Sequence, residues 1–154
     1  MIKTSYDAQH SSAYLLDLAR EPNKMQDCML KKAAQCAYRS NMTQRHGCVI
    51  VDDQGVIVAR GFNYKTSHHC HQFSTHAEID ALSKIKKTTD MSNFEMYVVR
   101  IGSDAQGAPL KLSHPCTSCT RAIMKTTLRR VYFSLGHTKY TCEEHTREHQ
   151  QQVP

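Results

Sequence analysis

Two short motifs contain the residues best suited to chemistry, His76-Ala77-Glu78 and Pro115-Cys116-Thr117-Ser118-Cys119. Two thiols three residues apart at the start of a helix lie on the same helix face, so Cys116 and Cys119 can bind one tetrahedral metal ion, with His76 as a third ligand. Zinc with three protein ligands keeps a position for water and lowers the pKa of that water toward neutrality. A carboxylate beside the metal, Glu78, can then take up and return the proton. The motifs therefore predict a hydrolytic zinc site.

Two other interpretations of the cysteine pair stay open at this point. The pair could belong to a closed structural zinc site with a fourth protein ligand, or it could bind no metal. The histidine and glutamate motif favours the catalytic interpretation, because a structural zinc ion does not require a proton carrier beside it.

His-x-Glu followed by Pro-Cys-x-x-Cys is the signature of the zinc deaminases. From Met25 to Leu135 the chain resembles the cytidine and deoxycytidylate deaminase superfamily. This resemblance implies that Glu78 carries the proton of a zinc-activated water to the base and then to departing ammonia. It also implies that the backbone amide of Ala77 and the carbonyl of Pro115 orient the base, and that Asn63 contacts the sugar. An asparagine that only turns the chain is the alternative at Asn63.

The hydrophobic pattern predicts alternating helices and strands. A first helix begins at Met25. Its predicted buried face comprises Met25, Met29, Ala33, Cys36 and Ala37, with Cys28 as another small buried side chain. Two β-branched runs around Asp52-Asp53-Gln54-Gly55 predict a hairpin. Helices follow Ser74 and Cys116, and strands cover Phe94 to Ile101 and Val131 to Leu135. We expect a three-layer α/β/α fold of the cytidine deaminase type, with a mixed sheet between helices on both faces.

The chain divides into three predicted parts. Residues 1–24 form an N-terminal extension, residues 25–135 form the deaminase domain, and residues 136–154 form a polar helix or tail. Within the domain, the insert from Gly102 to His114 predicts a small hairpin or flap near the metal. This insert and Arg45-His46-Gly47 resemble a little-characterised phage and bacterial branch of the superfamily.

A second metal site is a hypothesis for the loop between Asn63 and Thr75. His68, His69, Cys70 and His71 could together bind a structural zinc ion, although their spacing matches no standard zinc finger. Solvated loop histidines are the alternative. We therefore expect one catalytic zinc ion and treat a second as a hypothesis.

Composition limits the class of protein. The 154 residues are 40% hydrophobic, which suits one domain with a core. No apolar stretch has the length of a membrane span, the N-terminal residues lack a signal-peptide pattern, and seven cysteines make an odd number. We expect a soluble cytoplasmic protein without a membrane partner. The net charge of +6 is compatible with anionic partners such as nucleotides.

The expected substrate is a free cytosine nucleotide or nucleoside of the deoxycytidylate type. Its phosphate could meet Arg39, Arg45 or Lys65, and His46 is a further candidate for the substrate pocket. One alternative is a deaminase that acts on cytosine or adenine in single-stranded DNA, RNA or tRNA, although aromatic residues for base stacking are scarce. Another is a catalytically silent zinc-binding interaction module. The resemblance also implies a homo-oligomer.

Overall fold

Helices and strands alternate along the chain. The structure, a computed structural model, describes residues 22–66, 74–136 and 140–144. Within these ranges the helices are α1 Lys24–Ala37, α2 Ala77–Ser83 and α3 Thr117–Met124, and the strands are β1 Arg45–Val51, β2 Ile57–Phe62, β3 Tyr64–Lys65, β4 Ser74–Thr75, β5 Glu95–Ile101, β6 Leu110–Lys111, β7 Arg130–Ser134 and β8 Tyr140–Glu144. No helix in these ranges has the length and hydrophobicity needed to cross a membrane.

The main sheet is mixed, as the sequence predicts. Its strand order is β2-β1-β5-β7-β8, and β6 pairs with the end of β5. Strand β1 is antiparallel to both of its neighbours, β5 and β7 are parallel, and β8 is antiparallel to β7. Because β5 and β7 are parallel, the chain between them must cross over the sheet, and α3 lies in that crossover.

Alternate residues of the central strands enter two separate cores. Val49, Tyr97 and Tyr132 pack with the buried side of α1 on one face of the sheet. Cys48 and Val98 are among the residues that pack with α2 and α3 on the other face. This period of two is what a sheet buried on both faces requires. The prediction of helices on both faces is confirmed.

Two glycines allow the helices to lie directly on the sheet. A Cβ atom on Gly47 of β1 would lie 1.9 Å from the carbonyl oxygen of Ala33 in α1. A Cβ atom on Gly61 of β2 would lie 2.2 Å from the carbonyl oxygen of Ala77 in α2. Only glycine permits backbone contacts this close. Gly61 thus sets how near the start of α2 comes to the end of β2.

Helix α1 differs from the prediction in its first five residues, whereas the predicted Ala33 and Cys36 are buried. Asn23 caps it by a capping box, in which its side chain accepts from the N–H of Gln26 at 2.8 Å. The buried face includes Gln26 and Leu30, whereas Met25 is 46% exposed and Cys28 is exposed. The predicted burial of Met25 and Cys28 is wrong, because Gln26 is buried with its side chain accepting from the N–H of Asn23 at 3.1 Å.

The insert from Gly102 to His114 forms the expected hairpin. A 3₁₀ turn at Asp104–Gln106 precedes β6, in which Lys111 pairs with Arg100 of β5. The Arg45 guanidinium donates to the carbonyl oxygen of Gly102 at 2.8 Å and to the Asp104 carboxylate at 2.9 Å. These bonds hold the insert against the start of β1.

The C-terminal segment contains a strand where a helix or tail was expected. Tyr140–Glu144 pair with β7 along its whole length, from Ser134 opposite Tyr140 to Arg130 opposite Glu144. The segment has few apolar residues, so hydrophobic periodicity could not reveal a strand that covers a sheet edge with polar side chains. The expected helix or tail is therefore wrong for these residues. Residues 137–139 and 145–154, and nearly all of the N-terminal extension, lie outside the described residues, so the three-part division stays a prediction.

Candidate active site

The start of α2 presents the first motif. Strands β3 and β4 pair Tyr64 with Thr75 and so return the chain to the end of β2. His76 then takes the N-cap position in an extended conformation, and Glu78 follows in the first turn. Glu78 is only 4% exposed. The histidine and the glutamate therefore lie one residue apart at the same helix end, with only the carboxylate fully buried.

The start of α3 presents the second motif from the same side of the sheet. Cys116 is the N-cap of α3, and its Sγ accepts from the N–H of Cys119 at 3.4 Å. The Nδ1 atom of His76 lies 3.5 Å from Cys116 Sγ and 3.3 Å from Cys119 Sγ. The three ligand atoms all lie within 4.8 Å of one another. The structure thus brings together the three predicted ligands from segments 40 residues apart.

The three groups suit a zinc ion. Two thiols and one imidazole form a donor set that zinc prefers, and three protein ligands would leave a fourth position for water. Burial and the nearby Glu78 raise the pKa of the Cys119 thiol well above its usual range, so its thiolate needs a cation beside it. Among the described residues, this is the one cluster of at least three His, Cys, Asp or Glu side chains that could hold a metal.

Glu78 lies beside this cluster. Its Oε2 is 3.7 Å from Cys119 Sγ. Burial raises the pKa of its carboxyl group, and the hydrogen bond with its own backbone amide and the charge of His76 oppose this shift. A raised pKa makes the carboxylate a better acceptor for a proton from water. Its position and environment suit a proton carrier.

A cavity of about 470 Å³ opens next to these residues. This volume lies within the range of ordinary small-molecule sites. Its walls come from the loop after α1, the start of β1, the residue after β2, strands β3 and β4, the starts of α2 and α3, and His114. The lining residues are Asn41, Met42, Thr43, Gln44, His46, Asn63, Lys65, Ser74, His76, Ala77, Glu78, His114 and Cys116.

Residues 22–135 match the family model of the cytidine and deoxycytidylate deaminase zinc-binding region. The chain belongs to this family. Two solved structures share its fold. One is apo dCMP deaminase from the cyanophage S-TIM5, with a TM-score of 0.55 and 24% identity over an alignment that covers 74% of this chain and 85% of that one. The other is cytidine deaminase from Burkholderia pseudomallei, with a TM-score of 0.60 and 14% identity over an alignment that covers 77% of this chain and 91% of that one. The fold is thus the predicted α/β cytidine deaminase-like fold. No curated protein gives a significant match.

Asn63 lies in the cavity wall, and its side chain bonds to the backbone of the same chain. Its Oδ1 accepts from the backbone N–H of His46 at 2.8 Å, and its Nδ2 donates to the carbonyl oxygen of Gln44 at 2.6 Å. The side chain therefore fixes the segment that leads into β1. Contact with a sugar stays a prediction for Asn63, and the structure adds this bridging role.

The other predicted substrate contacts differ in position. His46 and Ala77 line the cavity, whereas Pro115 is buried and lies outside its lining. The Pro115 carbonyl oxygen instead lies 2.8 Å from Nδ1 of His114. Burial lowers the pKa of His46. A hydrogen bond with the backbone of Gln44 opposes this shift, and the positive charges of Arg100 and His76 add to it. His46 therefore faces the cavity as a mostly neutral imidazole at neutral pH.

The three basic residues considered for a phosphate are placed differently. Lys65 lines the cavity. The Arg39 guanidinium lies 5.3 Å from the centre of the Phe62 ring, and that of Arg45 bonds to the insert and lies over Tyr38 at 5.4 Å. Of the three, only Lys65 stands in the cavity wall. The second-zinc candidates His68, His69, Cys70 and His71 lie outside the described residues.

Besides Ser74, two groups of wall residues were absent from the sequence-based prediction of the site. The first is the loop 41–44, whose polar composition carries no specific signal. The second is His114, which directly precedes the Pro-Cys motif and contacts Glu143 of β8. The position of His114 next to the motif could have identified it as a candidate site residue. Its contact with Glu143 could not be predicted, because that contact depends on the position of β8.

Proposed function

We propose that this chain is a zinc-dependent hydrolytic deaminase that converts the cytosine of a free nucleotide or nucleoside, of the deoxycytidylate type, to uracil and ammonia. The observation that carries this proposal is the convergence of His76, Cys116 and Cys119 within 4.8 Å beside the buried Glu78, at the edge of a cavity. A structural zinc site does not require the buried carboxylate.

Each group has a defined task in the proposed reaction. His76, Cys116 and Cys119 hold zinc, which when bound makes water a nucleophile near neutral pH. Glu78 accepts a proton from the attacking water and donates it to the ring nitrogen of the base. The carbon that bears the exocyclic amine gains the water oxygen, and the amine leaves as ammonia after Glu78 passes a second proton to it. One water is consumed for each ammonia released.

The polar wall supports a small nucleotide or nucleoside as the substrate. Asn41, Thr43 and Gln44 line the cavity, and residues of these types carry amide and hydroxyl groups that can bond to a sugar or base. Lys65 offers a positive charge for a phosphate at the same wall. This combination supports a nucleotide such as deoxycytidylate, with the uncharged nucleoside as the closest alternative.

A substrate panel tests the proposal. Ammonia release is measured from cytidine, deoxycytidylate, deoxycytidine triphosphate, guanine, and short DNA and RNA oligonucleotides, with zinc-loaded protein and with Glu78→Gln as the inactive control. We expect release from deoxycytidylate or cytidine. Release only from oligonucleotides would favour the nucleic-acid alternative. Release from none of them, with zinc bound, would favour a catalytically silent interaction module.

A further inference from the structure

His114 and Glu143 form a side-chain pair between the start of α3 and strand β8. Nε2 of His114 lies 2.5 Å from Oε1 of Glu143, and Nδ1 lies 2.8 Å from the carbonyl oxygen of Pro115. Both side chains are largely buried, with 11% of His114 and 21% of Glu143 exposed. The imidazole ring therefore connects β8 to the residue that directly precedes Cys116.

The hydrogen bonds fix the orientation of this ring. A carbonyl oxygen can only accept, so Nδ1 carries the hydrogen of the bond to Pro115. Nε2 and the Glu143 carboxyl group then share one hydrogen between nitrogen and oxygen. The edge of the ring also packs on Phe133 of β7, with centroids 4.7 Å apart and an interplanar angle of 81°. Rotation of His114 would break both hydrogen bonds.

The ring of His114 contacts the backbone that carries one of the candidate metal ligands. His114 lines the cavity, and its bond to Pro115 constrains the backbone immediately before Cys116, the N-cap of α3. A displacement of this backbone would move Cys116 Sγ relative to His76 and Cys119. Both ring nitrogens have partners within the chain.

We infer that His114 is a positioning residue of the active site, held by Glu143, which fixes the Pro115 carbonyl and the Cys116 ligand and forms one wall of the cavity. Glu143 lies beyond residue 135, the last residue that the family model matches. The expected effect on catalysis rests on the proposed function. The expected effect on the geometry of the metal ligands does not depend on it.

The test compares substitutions at the two residues with a neighbouring control. Glu143→Ala removes the carboxyl partner, His114→Phe keeps a planar ring but removes both hydrogen bonds, and His114→Asn keeps an N–H donor near the position of Nδ1. Glu144→Gln is the control, because Glu144 is the next residue of β8 and is exposed. Each variant is measured for zinc content, for the absorption spectrum of its cobalt(II) form, and for kcat and KM on the best substrate of the panel.

We expect Glu143→Ala to keep zinc but to lower kcat/KM by about tenfold or more, the usual range for groups that orient metal ligands. The thiolate-to-cobalt absorption bands of Glu143→Ala should shift. His114→Asn should recover part of the kcat/KM that His114→Phe loses, and Glu144→Gln should match the natural chain. The inference would be overturned if Glu143→Ala and His114→Phe both had the cobalt spectra and the kinetics of the natural chain, even if both variants unfold at a lower temperature. If the natural chain deaminates nothing in the panel, the proposed function fails, and the cobalt spectra still decide the positioning role.

Discussion

At the residue scale, the environment of Glu78 separates it from the three metal-ligand candidates. Its carboxyl group is buried, its pKa is raised mainly by that burial, and its nearest sulfur is 3.7 Å away. A carboxylate that bound the metal would be held ionised by the metal's charge. One that stands beside the metal can exchange its proton, which the proposed chemistry requires.

Glu78→Gln should therefore strongly lower turnover without removing the metal. The amide has nearly the same volume as the carboxyl group but cannot carry the proton, so kcat should fall by about 10²- to 10⁴-fold. Zinc content, measured by atomic absorption, should stay at that of the natural chain. Glu144→Gln makes the same chemical change at an exposed position and should leave kcat unchanged. Near-natural turnover in Glu78→Gln would contradict the assignment.

His46 gives a prediction about pH and stability. Burial lowers its pKa in the folded chain below the ordinary value of 6.5. As the pH falls below that value, the unfolded chain takes up a proton at this histidine before the folded chain does, so the free energy of unfolding decreases. His46→Gln should make this decrease shallower between about pH 6.5 and pH 5.

Urea unfolding of both proteins across this pH range, in saturating zinc, measures the effect. The backbone N–H of residue 46 still bonds to Asn63 in the variant, so that contact is common to both proteins. Equal pH dependence in the natural chain and in His46→Gln would show that His46 titrates alike in the folded and unfolded states.

At the element scale, the contact of α2 with β2 places the first motif. A Cβ atom on Gly61 would lie 2.2 Å from the Ala77 carbonyl oxygen and 2.6 Å from the Ala81 nitrogen. Both are backbone atoms of α2, so the helix itself would have to move. We expect Gly61→Ala to lower the free energy of unfolding by about 1–3 kcal/mol and to weaken zinc binding, because His76 begins the same helix.

Gly136→Ala is the matched control for this substitution. A Cβ atom there would meet no atom within 4 Å, so the same change should leave stability and zinc affinity nearly unaltered. Chemical unfolding and competition with a zinc chelator measure both quantities. If Gly61→Ala kept the natural zinc affinity, the helix contact would not be what positions His76.

Elements with strong local patterns could be predicted, and those set by tertiary contacts could not. The continuous apolar runs of β1 and β5 could be recognised from the sequence, because a strand buried on both faces is apolar at successive positions. The cysteine spacing at the start of α3 could also be recognised, because a shared metal ligand set requires it. The pairing of β8 was not readable, since its five residues are mostly polar and cover the edge of β7. The bonds of Asn63 to Gln44 and His46, at the start of β1, join residues 19 and 17 positions apart, which no local pattern records.

At the scale of the whole molecule, the candidate metal site joins two helices that pack on the same face of the sheet. His76 comes from the start of α2, whereas Cys116 and Cys119 come from α3. Both helices contribute to one hydrophobic core, Ala77 from α2 and Ile123 from α3. A metal ion bound by these residues would therefore bridge parts of the chain that are distant in sequence, and its binding free energy would add to the stability of the fold.

Removal of zinc should consequently destabilise the whole domain. A ligand that binds only the folded chain adds about 4 kcal/mol when its free concentration is about a thousandfold above its Kd. Scanning calorimetry of chelator-treated protein should show a lower Tm, and added zinc should restore it. Cys116→Ser should lose this response, whereas Cys28→Ser, an exposed cysteine of α1, should retain it. An unchanged Tm after complete zinc removal would mean that the three side chains lie together equally well without the ion, and that the metal serves chemistry alone.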